Sequence, residues 1–260
     1  MKPIEEQGYL IPALNTASVD YVACAVRLAR SIRQFHPDAS ISVMTLNRCS
    51  DPVFDHVIPL PHGDVGDGTN HQCNDWQVFF ATPYRETVKL EADMLIASSI
   101  DHWWTMFRHR DVVVSTGCRN WQDKESTARH YRKAFDSNNL PDVYNAITYW
   151  RLSETARDFF VLVRDIFANW TEFKKLIRFP EDQPSTDLVY AMAADIIGRD
   201  QVTLPFASYP KIVHMKQAHA GTKTQQWANE LVWEMDPLRI QTLAQWGAFH
   251  YHVKDWNNDT

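Results

Sequence analysis

Residues 8–46 constrain the fold more than any other stretch of the chain. GYLIPAL (8–14) is an apolar run of strand length that stops at the polar pair Asn15-Thr16. Val22, Ala25, Val26, Ala29, Ile32 and Phe35 then recur at three- and four-residue spacing, behind Ser18 and Asp20, which suit a helix start. His36-Pro37 stops this helix, residues 41–46 alternate like a strand, and residues 56–60 form a second short apolar run. Two strands joined through a helix lie parallel, with the helix packed over the sheet. The opening therefore predicts an α/β architecture, and the rest of the chain continues the alternation. Residues 74–84 read as helix, 87–90 as strand, 111–116 and 144–150 as strands. Ser153 caps an amphipathic helix through Phe160, Val163, Ile166 and Phe167. Pro184-Ser185 opens another helix, on which Leu188, Met192 and Ile196 form one stripe.

Composition narrows the class. With 260 residues, 45% hydrophobic and 22% charged, the chain suits one large soluble domain, and no run of 18 apolar residues would span a bilayer. The opening MKPIEEQGYL lacks the apolar core of a secretory signal. Cys24, Cys49, Cys73 and Cys118 form no C-x-x-C pair, which favours free thiols in a reducing, cytoplasmic setting. Three of the eight glycines fall in PHGDVGDGTNHQ (61–72), a loop whose G-x-x-G-x-G order matches neither the dinucleotide fingerprint nor the phosphate loop.

YRETVKLEADMLIASSIDHWW (84–104) carries the chemistry. A strand ends in Glu91-Ala92-Asp93, whose two acids point the same way because side chains alternate along an extended chain. The carboxyl end of a strand in an open α/β sheet is where ligands bind. Hard oxygen ligands there suit Mn²⁺ or Mg²⁺, and such an ion would neutralise a diphosphate. Spacing alone is equally served by an acid that caps the strand and another that turns the chain.

The same segment resembles the GT-A nucleotide-sugar glycosyltransferases, most nearly glycosyltransferase family 8, the glycogenin and galactosyltransferase type. Tyr84, Leu90, Glu91-Ala92-Asp93, Met94-Leu95, Ile100-Asp101 and Trp103-Trp104 keep the order and spacing of that family's Tyr…Leu-Asp-Ala-Asp…Ile-Asp segment, with Glu91 in place of the first Asp. Further segments follow in the family's order. Ala13-Leu14-Asn15-Thr16 with Tyr21 resembles the opening loop that holds uracil, Tyr21 standing at the stacking position. Tyr144-Asn145-Ala146 resembles the strand near the donor sugar, of which only Asn145 carries over. Ser185-Thr186-Asp187 resembles a helix start whose acid is Asp187, and Ile212-Val213-His214-Met215-Lys216 resembles the late segment whose histidine completes the metal site. The closing Lys-Pro-Trp of the family is not intact, although Lys223 and Trp227 stand near its place.

The resemblance implies a single GT-A (Rossmann-like) domain over 1–260, with a mixed, mainly parallel sheet flanked by helices. Residues 1–105 would form the nucleotide-binding half and 106–260 the acceptor-binding half. It implies a UDP-sugar donor held by Asn15, Thr16, Tyr21, Glu91, Asp93, Asn145 and Lys216, and Mn²⁺ or Mg²⁺ on Glu91, Asp93 and His214. Asp187 would orient the acceptor or stabilise the cationic sugar, and the anomeric configuration would be retained. Taken singly, Tyr21 also suits packing, Asp187 a helix dipole, and His214 a satisfied core position. His250-Tyr251-His252 has metal-like alternation but no matched acid, and reads as surface or core.

For the acceptor, net charge −6 does not advertise nucleic acid. Residues 108–133, however, hold seven bases against three acids, an excess of four that leaves −10 elsewhere. HWWTMFRHRDVVVSTGCRNW, YRKAF and LPDVYN also resemble glycosyltransferase-like proteins of tailed phages, some of which add sugar to hydroxymethylated cytosine. Under that resemblance Arg119, Arg129, Arg132 and Lys133 would reach phosphates, with Trp121 and Tyr131 near an unstacked base. Saccharide, lipid-linked and protein acceptors stay open, as does a non-catalytic nucleotide-sugar-binding protein. A nucleotidyltransferase would open on a Gly-rich, basic loop, which Asn15-Thr16-Ala17-Ser18 is not. Neither a membrane nor an obligate protein partner is indicated.

Overall fold

The computed structural model describes residues 5–66, 70–117, 119, 132–205 and 247–251 (of Arg132 the backbone alone), together with the backbone of four strands between 212 and 243. Alternation along the first strand, β1 (Glu5–Pro12), divides the core in two. Tyr9 and Ile11 pack on one face of the sheet with Cys24, Leu28 and Ile32 of α1 (Tyr21–Phe35), and with Trp103, Trp104 and Phe107 of α3 (His102–Phe107). Leu10 faces the other side, where α5 (Glu154–Ala168) and α7 (Thr186–Ile197) cover the sheet with Phe159, Phe160, Val163, Leu188 and Ala191.

The sheet has six strands. β2 (Ile41–Met44), β3 (His56–Ile58), β4 (Tyr84–Leu90), β6 (Val112–Thr116) and β7 (Val143–Arg151) join β1 in the order β3-β2-β1-β4-β7-β6. β1, β2, β3 and β4 run parallel, and β7 is antiparallel to both β4 and β6. β7 is buried along eight of its nine residues, as a strand covered on both faces must be. Beyond β4 the chain makes the short strand β5 (Met94–Ile96). β8 (Ile212–Met215), β9 (His219–Gly221), β10 (Val232–Met235), β11 (Ile240–Leu243) and β12 (Ala248–Tyr251) follow late in the chain. β12 lies between β5 and β8, antiparallel to the first and parallel to the second, while β9, β10 and β11 make a separate three-stranded sheet. The remaining helices are α2 (Val78–Ala81), α4 (Arg132–Ser137), α6 (Trp170–Leu176) and α8 (Arg199–Val202). No described helix is long and apolar enough to cross a membrane.

The α/β architecture with a mainly parallel sheet is as the sequence predicts, and Asp20 and Ser153 cap α1 and α5 through bonds to Ala23 N–H and Ala156 N–H. Two local expectations change. Residues 74–84 are not one helix: a 3-10 segment (His71–Gln77) leads into the single turn α2, because Pro83 biases Thr82 to an extended ψ of 133°. Ile196 does not share the buried stripe of Leu188 and Met192. It is 57% exposed, since α7 is buried nearly all round at its start and emerges into solvent at its end.

Gly8 sets how closely β1 and β4 are locked. A Cβ at Gly8 would lie 2.3 Å from the fully buried ring of Tyr84, whose hydroxyl sits 2.5 Å from Ser42 Oγ and accepts from Ser40 Oγ at 3.1 Å. Gly8→Ala is expected to cost about 1–3 kcal/mol by overpacking, read as a lower urea midpoint at unchanged slope.

Candidate active site

The carboxyl ends of β1 and β4, the start of β7 and the first turn of α7 converge on a cleft of about 660 Å³. Glu91 leaves β4 with its N–H donating to Ala146 O at 3.1 Å, and Asp93 follows one residue later. β12 lies beside this segment, with His250 opposite Met94 and Tyr251 N–H donating to Asp93 O at 3.0 Å. Side-chain alternation then turns His250 towards the acids. His250 Nε2 is 3.0 Å from Asp93 Oδ1 and 3.5 Å from Glu91 Oε2. One ligand atom from each of the three lies within 4.8 Å of the others.

This set suits a divalent cation. Two carboxylate oxygens suit Mn²⁺ or Mg²⁺, and the added imidazole nitrogen suits Mn²⁺ better than the harder Mg²⁺. The Tyr144 hydroxyl is hydrogen-bonded to His250 Nδ1. In the tautomer that donates from Nδ1, Nε2 presents its lone pair to the carboxylates, and Tyr144 holds the ring in that orientation. Burial pushes the Glu91 carboxyl above its usual range, opposed by the charges of His250 and then Lys89. Neighbouring Asp93 and Asp187 add to the rise, and a cation at close range would oppose it.

A second group of polar residues forms the facing wall. Asp187, 5% exposed in the first turn of α7, accepts from Asn145 N–H at 2.8 Å through Oδ1. Asp75 on the 3-10 segment is ion-paired with Lys89 Nζ at 3.0 Å, and Lys89, fully buried, also donates to Asn145 O at 3.0 Å. Asp75 Oδ2 accepts from Asn145 Nδ2 at 3.0 Å and from the Tyr190 hydroxyl.

Of the residues expected from sequence, Glu91, Asp93, Thr16, Tyr21 and Asp187 all line this one cleft. Asn15 and Asn145 are placed behind its lining. Asn15 Oδ1 accepts from Val22 N–H at 3.0 Å, supporting the start of α1, and Asn145 is fully buried between the two acids it holds. Thr16 Oγ1 accepts from Val19 N–H at 3.1 Å while it lines the cleft. His214 lies on β8 as the parallel register neighbour of His250, and its side chain is outside the described residues, as is all of Lys216. Trp121, Arg129 and Tyr131 also lie outside them. Arg119 lines a different depression beside Arg199, and Lys133 is exposed on α4. Sequence reasoning passed over His250 and Asp75. The alternation of His250-Tyr251-His252 was the available signal for the first, and a lysine between Val88 and Leu90 at the end of β4 was the signal for the second.

Tyr144→Phe is expected to weaken Mn²⁺ binding about tenfold by freeing the His250 ring, and His250→Ala to weaken it further. Titration followed by the paramagnetic resonance of free Mn²⁺ reads both. Equal affinity in all three proteins would remove the cluster as a metal centre.

No family model matches the chain, and no curated protein matches it in sequence. Its structure does match solved ones. The galactosyltransferase LgtC, solved in complex with donor and acceptor sugar analogues, superimposes with a TM-score of 0.57 at 13% identity, over 97% of this chain and 90% of that one. The bifunctional glycosyltransferase WbbM gives 0.54 at 10% identity, over 97% of this chain and 47% of that one. The glycosyltransferase GlyE of Streptococcus pneumoniae TIGR4 gives 0.52 at 11%, over 98% and 57%. At these identities the likeness concerns architecture, and on it the chain has the GT-A glycosyltransferase fold.

Proposed function

We propose that the chain is a metal-dependent glycosyltransferase that moves the sugar of a UDP-sugar to an acceptor hydroxyl. One observation carries the reading: in the cleft where this fold opens, Glu91, Asp93 and His250 form a cation-binding set, and the described lining holds no lysine or arginine. A diphosphate cannot enter so acidic a site without a counter-cation. Mn²⁺ or Mg²⁺ held there would offset the charge that grows on the departing diphosphate as the bond to the anomeric carbon breaks.

The chain's own residues supply position. Tyr21, half-buried at the start of α1, offers its ring face to the uracil. Thr16 lies beside it on the rim, with Asn15 holding the loop from behind. Asp187, fixed by the Asn145 N–H, stands where it orients the acceptor hydroxyl or faces the positive charge that develops on a retained sugar. His214 and Lys216 remain the candidates for a further ligand and a phosphate contact.

The acceptor is a hydroxyl of a saccharide, a protein or 5-hydroxymethylcytosine in DNA. Among the described bases of residues 108–133, Arg108 and Arg110 are already engaged. Arg108 donates to Glu86 at 2.7 Å and to Gln7 at 2.8 Å, and Arg110 donates to Asp200 O at 2.8 Å. These bonds and the acidic cleft favour the saccharide over the DNA phosphate backbone.

The test is nucleoside-diphosphate release from a panel of UDP-sugars with Mn²⁺, with saccharides, hydroxymethylated DNA and unmodified DNA as acceptors. Donor-specific release that falls at least about a hundredfold in Asp93→Asn is expected. Stimulation by hydroxymethylated DNA alone would assign the acceptor to DNA. Nucleotide-sugar binding without turnover would make the chain a binding protein instead.

A further inference from the structure

We propose that Asp75 is a sugar-binding residue: its carboxylate, held against the buried Lys89, accepts a hydroxyl of the donor sugar and restricts the donor to neutral hexoses. The inference rests on the sugar-transfer reading and names the substrate class at the same cleft.

The bonding around Asp75 is lopsided. Oδ2 accepts from the Asn145 amide, the Tyr190 hydroxyl and Lys89 Nζ, the last at 3.3 Å. Oδ1 takes Lys89 Nζ alone, at 3.0 Å. A carboxylate oxygen has two acceptor sites, so Oδ1 keeps one to spare on a residue that lines the cleft. Lys89, in turn, has no proton left to share with a ligand. Its side chain is 1% exposed, it donates to Asp75 and to Asn145 O, and its remaining face is turned to the Tyr190 ring at 5.8 Å. The lysine therefore holds Asp75 fixed while the second acceptor position of Oδ1 remains available.

Asn145 ties this carboxylate to the other one. Its side chain holds Asp75 Oδ2, and its backbone N–H holds Asp187 Oδ1. Thr148 Oγ1 donates to Asn145 Oδ1 at 2.8 Å, fixing which way the amide faces. Two preorganised acceptors on one buried asparagine match a ligand that presents neighbouring O–H donors, which a hexose does. Outside the proposed cation site, the described lining offers these two acids and Glu181 but no lysine or arginine to receive a sugar's own carboxylate.

The experiment compares the wild type, Asp75→Asn and the charge-neutral double variant Asp75→Asn/Lys89→Met, all checked for folding by thermal melting. Donors are UDP-glucose, UDP-galactose, their singly deoxygenated analogues and UDP-glucuronate, with Mn²⁺ present. One deoxy position is expected to cost the wild type about ten- to hundredfold in kcat/KM, with little added penalty in either variant. UDP-glucuronate is expected to be the poorest donor for the wild type and to improve relative to the hexoses in Asp75→Asn. Deoxy penalties that persist unchanged in the variants, or an equal loss for every donor, would leave Asp75 as a counter-ion of Lys89 only and overturn the proposal. Calorimetry separates failure of the parent reading. If no donor turns over, the ratio of UDP-hexose to UDP affinity decides: a ratio that falls in Asp75→Asn upholds the sugar contact without transfer, and an unchanged ratio overturns it. Binding of neither ligand by the wild type overturns both.

Discussion

A positive charge in the middle of a mixed sheet organises this molecule. Lys89 lies between Val88 and Leu90, which alternation commits to the core shared with α1, so its own side chain must enter the opposite layer under α7. An ammonium there is tolerable only with a full set of partners, and removing one partner of such a pair costs about 3–5 kcal/mol. Asp75, the Asn145 carbonyl and the Tyr190 ring provide that set. The requirement explains why the 3-10 segment folds back under the sheet and why Asn145 has no freedom. It also pushes the Tyr190 hydroxyl well above its usual range, first by burial and then by the negative charge of Asp75.

The cleft inherits its division from this arrangement. One wall is a cation site whose described lining holds no lysine or arginine, and the other is a pair of acids fastened to a single asparagine. Each wall is polar for a different reason. Glu91, Asp93 and His250 are held close together by strand geometry, and the two carboxylates repel each other across a space that a cation would fill. Asp75 and Asp187 are already partnered, by the Lys89 ammonium and by the backbone N–H of Asn145 on β7, and so do not call for a metal.

How much of this was legible in the sequence depends on how local each feature is. The β1–α1–β2 opening, the caps at Asp20 and Ser153, and the acid pair after β4 are local, and each stands where its pattern places it. Ile196 misled because a helical stripe does not report where a helix leaves its neighbours, and Pro83 outweighed the apolar spacing before it. Asp187 could be placed at a helix start, but not the Asn145 N–H 42 positions away that fixes it. His250 was obscured for a similar reason. Its partners, Tyr144 and the acids after β4, are distant in sequence, and only the pairing of β12 with β5 brings them together. A histidine between aromatic residues in a short apolar strand carries no local mark of that destination.

That distance has a consequence for how the protein comes into being on the ribosome. His250 meets Tyr144 across 106 positions, and the strand that delivers it is among the last described segments to be synthesised. The six-stranded sheet draws only on residues up to 151, so its pairing can precede the arrival of β12. A nascent chain would therefore carry Glu91 and Asp93 through most of its synthesis as a weak two-carboxylate site. A site built from Glu91, Asp93 and His250 is complete only once β12 has been made and has paired with β5.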